Sequence, residues 1–324
     1  MVLFQDIKGQ SNALRYLSKS LSLGRVVSSY LFSGPRGVGR VLTAKAFITA
    51  LICPNKNNKQ EACGVCPTCR RISIFEHPDA AWIKPEKNKA IKIEEIRKVK
   101  ELLSLKPYES PVNICVIEDA HMMTQEACNA LLKVLEEPPG NSILILITDR
   151  KELLLPTVIS RCTEVQFRPL SVEDTKDIIM EKVTDADEAF AAFLAYFSQG
   201  SPGRALMMID ECVMDKKNEV ISGLNDFVNQ EGLLCSNWKH DEKNILLEDL
   251  EMMIMFFRDI AVGKECDENV IVNKDIIGTK MYSFFKEYST EKIYFVMERL
   301  IDIKTALLGN VNPKLAAQMI AYSV

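Results

Sequence analysis

Three groups of residues have types and spacings that could do chemistry. The first is Ser33-Gly34-Pro35-Arg36-Gly37-Val38-Gly39-Arg40-Val41, which has the glycine spacing of a phosphate-binding loop. Glycines let such a loop curl until backbone N–H groups and the following helix N-terminus face an anion. The template G-x-x-x-x-G-K-[ST] is met at Gly34 and Gly39, with Gly37 between them. Arg40 and Val41 stand where lysine and a hydroxyl residue belong. Arginine keeps the charge in a bulkier planar fork, and valine has no oxygen to hold Mg²⁺. The loop keeps the outline of a nucleotide site and lacks two of its working groups.

The second group is Cys53, Cys63, Cys66 and Cys69, spaced C-x9-C-x2-C-x2-C. Two residues between cysteines let both thiolates reach one ion, and four thiolates at about 2.3 Å complete a closed tetrahedral zinc site. A closed site leaves no position for water or substrate, so its role would be structural. The other reading is four ordinary buried cysteines, which the polar, lysine-rich segment 54–61 is poorly suited to bury. His77 lies nearby, but with four thiolates at hand it reads as the start of a His-Pro-Asp turn.

The third group is Glu118-Asp119-Ala120-His121, directly after the apolar run Asn113–Ile117. An acidic pair at the C-terminal end of a parallel strand can hold Mg²⁺ and orient an attacking water. In isolation a solvated acidic turn explains it equally well. Downstream of a P-loop the metal-binding position is the better reading, although the order is Glu then Asp. With the acids in that order His121 is given no catalytic role.

Positioning these groups requires strands that end beside one another. Tyr30–Phe32, Ala80–Ile83, Asn113–Ile117, Ser142–Thr148 and Thr163–Phe167 read as strands. Helices are expected over 9–23, 42–51, 93–105 and, capped by Thr124, 125–137, with a short one opened by Pro156. Strands alternating with helices predict an α/β fold with a parallel sheet covered on both faces. Strand signals stop at Arg168-Pro169-Leu170-Ser171. Helices over 172–182, 186–197 and 201–210 would form a small lid, and an all-helical region follows. Its stripe Leu247, Leu250, Met253, Ile254 and Phe257, like the Met-rich segment Met252–Phe257, reads as core or subunit packing. The expected domains are 1–169 with the cysteine insert at 53–69, a lid at 170–212 and a helical domain at 213–324.

At 324 residues, 47% hydrophobic and 26% charged, the chain has the composition of a folded soluble protein of two or three domains. The net charge of −4 argues against a surface that grips nucleic acid throughout. No run approaches a membrane-spanning length, and the N-terminus lacks a signal-peptide layout. A cytoplasmic protein is expected, and there the clustering of four of the ten cysteines points to metal.

Together these residues resemble one family. Leu131-Leu132-Lys133-Val134-Leu135-Glu136-Glu137-Pro138-Pro139, a buried strand and then Ser160-Arg161-Cys162 look like the signature of clamp-loader AAA+ subunits. Gly200-Ser201-Pro202-Gly203-Arg204-Ala205 is similar to their lid motif, and Gly9-Gln10 to the start of many AAA+ modules. The cysteine insert, with His77-Pro78-Asp79 beyond it, narrows the resemblance to the bacterial gamma/tau and delta-prime branch of the DNA polymerase III clamp loader. Gly39-Arg40-Val41 in place of Gly-Lys-Thr, and the length, incline it to the delta-prime side. The match is dense over residues 9–206 and only architectural beyond.

The resemblance implies a hetero-pentameric ring with gamma/tau and delta, closed by a collar of C-terminal helical domains. It implies that Arg161 is an arginine finger acting in trans on a neighbour's ATP, although a helix-capping surface arginine is the plainer reading. It further places Thr148 and Arg204 at two nucleotide-sensor positions, where a structural role is the better reading given the damaged loop. Zn²⁺ is the implied cofactor, and ATP is expected not to bind this chain. The implied function is a non-hydrolysing scaffold within the polymerase III holoenzyme, a DNA-directed DNA polymerase and nucleotidyltransferase. It would help load the sliding clamp on primed DNA. The alternatives are a divergent gamma/tau-like motor with residual ATP binding through Arg40, and a zinc-bearing DNA-binding module. Val41 counts against the first; net acidity and the lack of a basic recognition helix count against the second.

Overall fold

A computed structural model describes residues 3–57, 61–86, 89–184, 186–210, 213–229, 242–266, 270–309, 311–321 and 323. The chain divides into two compact units, one of residues 1–178 with 199–204, the other of 179–198 with 205–324. Residues 170–212, read from the sequence as one lid, thus contribute to both.

The first unit is a five-stranded sheet in the order β2-β3-β4-β1-β5. Its strands are β1 (Ser29–Ser33), β2 (Ala80–Ile83), β3 (Asn113–Ile117), β4 (Ser142–Thr148) and β5 (Thr163–Gln166). All pairings are parallel, with Leu31 beside Leu146 and Ile117 also beside Leu146 from the other side. A sheet of this kind is covered on both faces, which is why β1, β3 and β4 are buried at every position and apolar nearly throughout. Alternation along the strands divides their side chains between two layers. Tyr30, Phe32, Ile114, Val116, Ile145 and Ile147 pack with Phe47 and Ile48 of α2 (Arg40–Ile52) and Leu17 of α1 (Ser11–Ser22). Leu31, Cys115, Ile117, Leu144 and Leu146 pack with Ile96 of α4 (Ile93–Ser104) and Leu131 of α5 (Gln125–Glu136). Each such fully buried Leu, Ile or Phe side chain contributes about 1.5–3 kcal/mol relative to exposure. The fold class expected for an AAA+ core, a parallel α/β sheet followed by helices, is the one observed.

Two further helices complete the positioning frame. Short α3 (Pro67–Ser73) follows the cysteine loop, and α6 (Pro156–Ile159) begins at the expected proline. Beyond β5 only helices occur among the described residues: α7 (Val172–Lys182), α8 (Glu188–Phe197), α9 (Pro202–Asp210), α10 (Val213–Asn229), α11 (Lys243–Glu265), α12 (Lys280–Lys286), α13 (Thr290–Leu308) and α14 (Pro313–Ala321), with one 3-10 turn at Lys274–Ile276. The second unit has its own core, in which Met253, Phe257, Phe285, Val296 and Leu300 are buried, so the Met-rich segment packs inward. Buried Asp259 closes that core by accepting from the Asn273 backbone N–H at 2.8 Å and its Nδ2 at 2.7 Å. No helix among the described residues is long and apolar enough to cross a membrane.

Candidate functional site

Because β1, β3 and β4 are parallel neighbours, the loop after β1, the acids after β3 and Thr148 at the end of β4 meet at one edge of the sheet. Gly34 sits at φ 144°, and a Cβ there would lie 2.3 Å from the Phe167 carbonyl oxygen, so only glycine fits. A Cβ on Gly37, at φ 78°, would lie 2.4 Å from Ser201 Oγ. The start of α9 is pinned on this side of the loop: the Gly203 N–H donates to Gly37 O at 2.9 Å, and Ser201 Oγ donates to Arg36 O at 2.7 Å. Gln10 Nε2 donates to both Val38 O at 3.1 Å and Arg168 O at 2.7 Å, tying the loop to the exit of β5. Gly39 is the N-cap of α2, and its carbonyl accepts the Thr43 N–H and hydroxyl. The curled loop and the helix behind it are therefore intact.

The two substituted positions turn inward. Arg40 is only 6% exposed, and its Nη1 has no hydrogen-bond partner among the described residues. Burial pushes its guanidinium below the usual arginine value, while the charges of Asp149 and Asp119 work in the opposite direction. Val41 is half-buried and packs on the apolar layer of the sheet.

The acidic pair diverges. Glu118 is 8% exposed, and its carboxylate accepts the Trp82 indole N–H at 2.6 Å, with Lys84 Nζ at 3.9 Å. Asp119, in the left-handed region at φ 47°, instead groups with His121 and Asp149, their ligand atoms all within 4.8 Å of one another. His121 Nδ1 lies 3.1 Å from the hydroxyl of fully buried Thr148 and 3.4 Å from Asp149 Oδ1. The Thr148 hydroxyl also accepts the Arg150 N–H at 3.1 Å. Half-buried Arg204 lies in α9, its backbone N–H donating to Ser201 Oγ at 3.2 Å.

Arg161 lies just past α6 and is exposed. Its Nη1 donates to Thr157 O at 3.0 Å, and its Nη2 lies 2.7 Å from Glu136 Oε1. The sequence reading did not foresee Glu136 as its partner.

The four cysteines converge. Sγ–Sγ distances are 3.7 Å for Cys53–Cys63, 3.9 Å for Cys53–Cys66 and 3.9 Å for Cys63–Cys69. These are far beyond a disulfide. Ligands at 2.3 Å in a tetrahedron would be about 3.8 Å apart, so the set fits one zinc ion. Backbone N–H groups of Cys63 and Cys69 donate to Cys53 Sγ and Cys66 Sγ at 3.4 and 3.5 Å, the outer support that metal thiolates commonly have. Backbone N–H groups of Val65 and Cys66 pull the Cys63 thiol down to about 6, whereas burial pushes Cys53 and Cys69 up. Helix α3 was missed from sequence, although Pro67 at its first position and Cys66 as its N-cap both signal a start.

The His-Pro-Asp turn anchors more than was foreseen. Asp79 accepts the backbone N–H groups of Tyr108, Glu109 and Ser110 at 2.6, 2.9 and 2.8 Å. Burial alone would raise the Asp79 pKa, but these bonds outweigh it and hold the carboxyl below its usual range. His77 Nδ1 accepts the Asp79 N–H at 3.2 Å, and Nε2 lies 3.0 Å from Glu109 Oε1. Burial pushes His77 down, which keeps the ring neutral. Glu109 also pairs with Arg71 of α3, so this turn fastens the cysteine module to the sheet.

The family profile described as DNA polymerase III, delta subunit, matches residues 9–171, half of the chain. The chain belongs to that family. This polymerase III clamp-loader family member is close to gamma/tau. It is 27% identical to DNA polymerase III subunit delta' of Bacillus subtilis over 94% of its own length and 92% of that protein. It is 31% identical to subunit tau of Escherichia coli over 67% of its length, which spans 34% of tau. Subunit gamma of Buchnera aphidicola is 28% identical over 83% of this chain and 74% of that one. Among solved structures, a gamma subunit-related protein of Thermotoga maritima superposes with a TM-score of 0.41 at 18% identity, covering 94% of this chain and 97% of that chain. The T. maritima RuvB Holliday junction branch migration motor does so at 0.46 and 15%, covering 93% and 89%. Neither likeness is close enough to carry a functional statement.

Proposed function

We propose that this chain is a delta-prime-type clamp-loader subunit, a non-hydrolysing AAA+ scaffold whose Arg161 completes the ATP site of a neighbouring gamma/tau subunit. The observation that carries the reading is Arg40, sealed at 6% exposure at the position where the phosphate loop requires a lysine free to meet phosphates. Val41 offers no hydroxyl for Mg²⁺ and is turned to the core, and Glu118 is engaged by the Trp82 indole, so two groups a working site would use are missing or diverted. Gly34, Gly37 and Gly39 then keep the loop's shape, while Asp119, Thr148 and Arg204 serve as structural supports of it. Arg161 has the opposite setting, an exposed guanidinium in the turn that ends a short helix. A positive fork placed where charge develops in phosphoryl transfer is worth about 10³–10⁵ in rate in other NTPases.

In this reading the subunit works in a cytoplasmic hetero-pentamer with gamma/tau and delta, which loads the sliding clamp on primed DNA. Residues 170–212 form the lid and residues 213–324 the collar that holds the ring. One structural zinc sits on Cys53, Cys63, Cys66 and Cys69. The test is titration of the isolated chain with Mg²⁺-ATP: no saturable micromolar binding and no turnover are expected. Micromolar Mg²⁺-dependent affinity with turnover would instead make the chain a divergent gamma/tau-like motor.

A further inference from the structure

The Arg161 guanidinium is held from two directions within its own unit. Thr157 O of α6 accepts from Nη1 at 3.0 Å, and the Glu136 carboxylate at the end of α5 meets Nη2 at 2.7 Å. Both anchors are rooted in one apolar layer. Val158 of α6 is fully buried beside Leu131, Val134 and Leu135 of α5. The backbone around the arginine is equally fixed, since Ser160 N–H donates to Pro156 O, Arg161 N–H to Val158 O and Cys162 N–H to Ile159 O, all between 3.0 and 3.2 Å.

We infer that Glu136 is a positioning residue that fixes the Arg161 fork in the orientation in which it meets a phosphate across the subunit boundary. The inference rests on the arginine-finger reading above. A free arginine samples many rotamers, and ordering it upon each encounter costs binding free energy that a pre-set fork avoids. A guanidinium has five N–H donors. The contacts to Thr157, Ser160 and Glu136 engage Nη1 and one hydrogen of Nη2 and leave Nε–H and the other Nη2 hydrogen for phosphate oxygens, so the carboxylate need not let go. The pair is an exposed one, at 36% and 49% side-chain exposure, and such pairs add little to folding stability. An effect of Glu136 on rate at an unchanged melting temperature therefore reports position rather than folding.

The experiment is the DNA- and clamp-stimulated ATPase of the loader reconstituted with gamma/tau and delta subunits. Glu136→Ala should lower kcat about three- to tenfold with the KM for ATP changed less than about twofold, because the lost contact orients a group needed in the transition state. Glu136→Gln, whose amide oxygen still accepts, should retain most of the rate. In an Arg161→Ala background Glu136→Ala should add nothing, since the two act as one unit. If Arg161→Ala slows the loader and Glu136→Ala does not, or Glu136→Ala speeds it, the positioning role is wrong and the finger stands. A further loss in the Arg161→Ala background would also overturn it. If Arg161→Ala itself has no effect, the finger reading falls and this inference with it.

Discussion

Two arginines at opposite ends of the same sheet unit show how one side-chain type can be given opposite tasks. Arg40 is buried, with an unpartnered Nη1 and the charges of Asp149 and Asp119 as compensation. Arg161 is exposed and fixed by the Thr157 carbonyl and the Glu136 carboxylate. A buried charge is withheld from any ligand at a cost to the fold, whereas an exposed, oriented charge serves a ligand at little expense to the fold. The contrast predicts that substitutions at the two positions separate stability from activity.

The largest expected effect is removal of metal, because zinc binding is folding free energy for so small a module, about 10 kcal/mol or more in zinc-finger peptides. Metal analysis should find one zinc per chain. Chelation should open amide exchange in α3 and at the C-terminal end of α2, which Cys53 caps, and leave the α5–α6 corner around Arg161 protected. Equal deprotection of both regions would erase the distinction. The metal should also be released by acid. Cys53 and Cys69 have thiols raised by burial, so binding displaces protons from at least these two, and affinity should fall by at least about a hundredfold per unit of decreasing pH near neutrality.

Next in size, Arg161→Ala should lower hydrolysis at the neighbouring ATP site by about 10³ or more while shifting stability by less than about 0.5 kcal/mol. Arg40→Met should separate the two in the other sense. It should leave loader ATPase near wild type and be neutral or stabilising by about 1 kcal/mol in urea melts, because burial outweighs the charges of Asp149 and Asp119 and the Nη1 donor has no partner. A loss of about 2 kcal/mol or more would show that those carboxylates depend on the Arg40 charge. Comparable in size, Trp82→Phe should cost about 1–2 kcal/mol by stripping buried Glu118 of its indole donor.

A last effect lies in acid. Asp79 has a depressed pKa in the fold, so its contribution is present above the unfolded value and is lost as pH falls through the folded one. Asp79→Asn should therefore be less stable at neutral pH and lose less stability than the parent on acidification. Parallel acid profiles would contradict this.

The strands, the glycine loop and the meeting of the four cysteines were legible in sequence, because each is carried by local periodicity or local spacing. Gly34 is required where the loop passes the Phe167 carbonyl, and Cys66 and Cys69 lie within one helical turn of each other. What escaped depended on partners distant in sequence. Trp82 finds Glu118 only because β2 pairs with β3, and Asp79 finds the 108–110 backbone only once that loop is folded back. Glu136 meets Arg161 only through the packing of α5 on α6. The burial of Arg40 was equally hidden: a charged residue after a glycine loop reads as a ligand group until the carboxylates from neighbouring strands are in place. Among these the His-Pro-Asp turn carried the one visible hint, a short acid placed just before a strand.

The most direct test counts the ATP hydrolysed in the first turnover of the reconstituted loader when this subunit alone carries Arg161→Ala. The burst should lose the contribution of a single site, while Arg40→Met leaves it whole. An unchanged burst with Arg161→Ala, or a burst diminished by Arg40→Met in a folded subunit, would show that this chain does not lend its arginine to a neighbour's ATP in the way proposed.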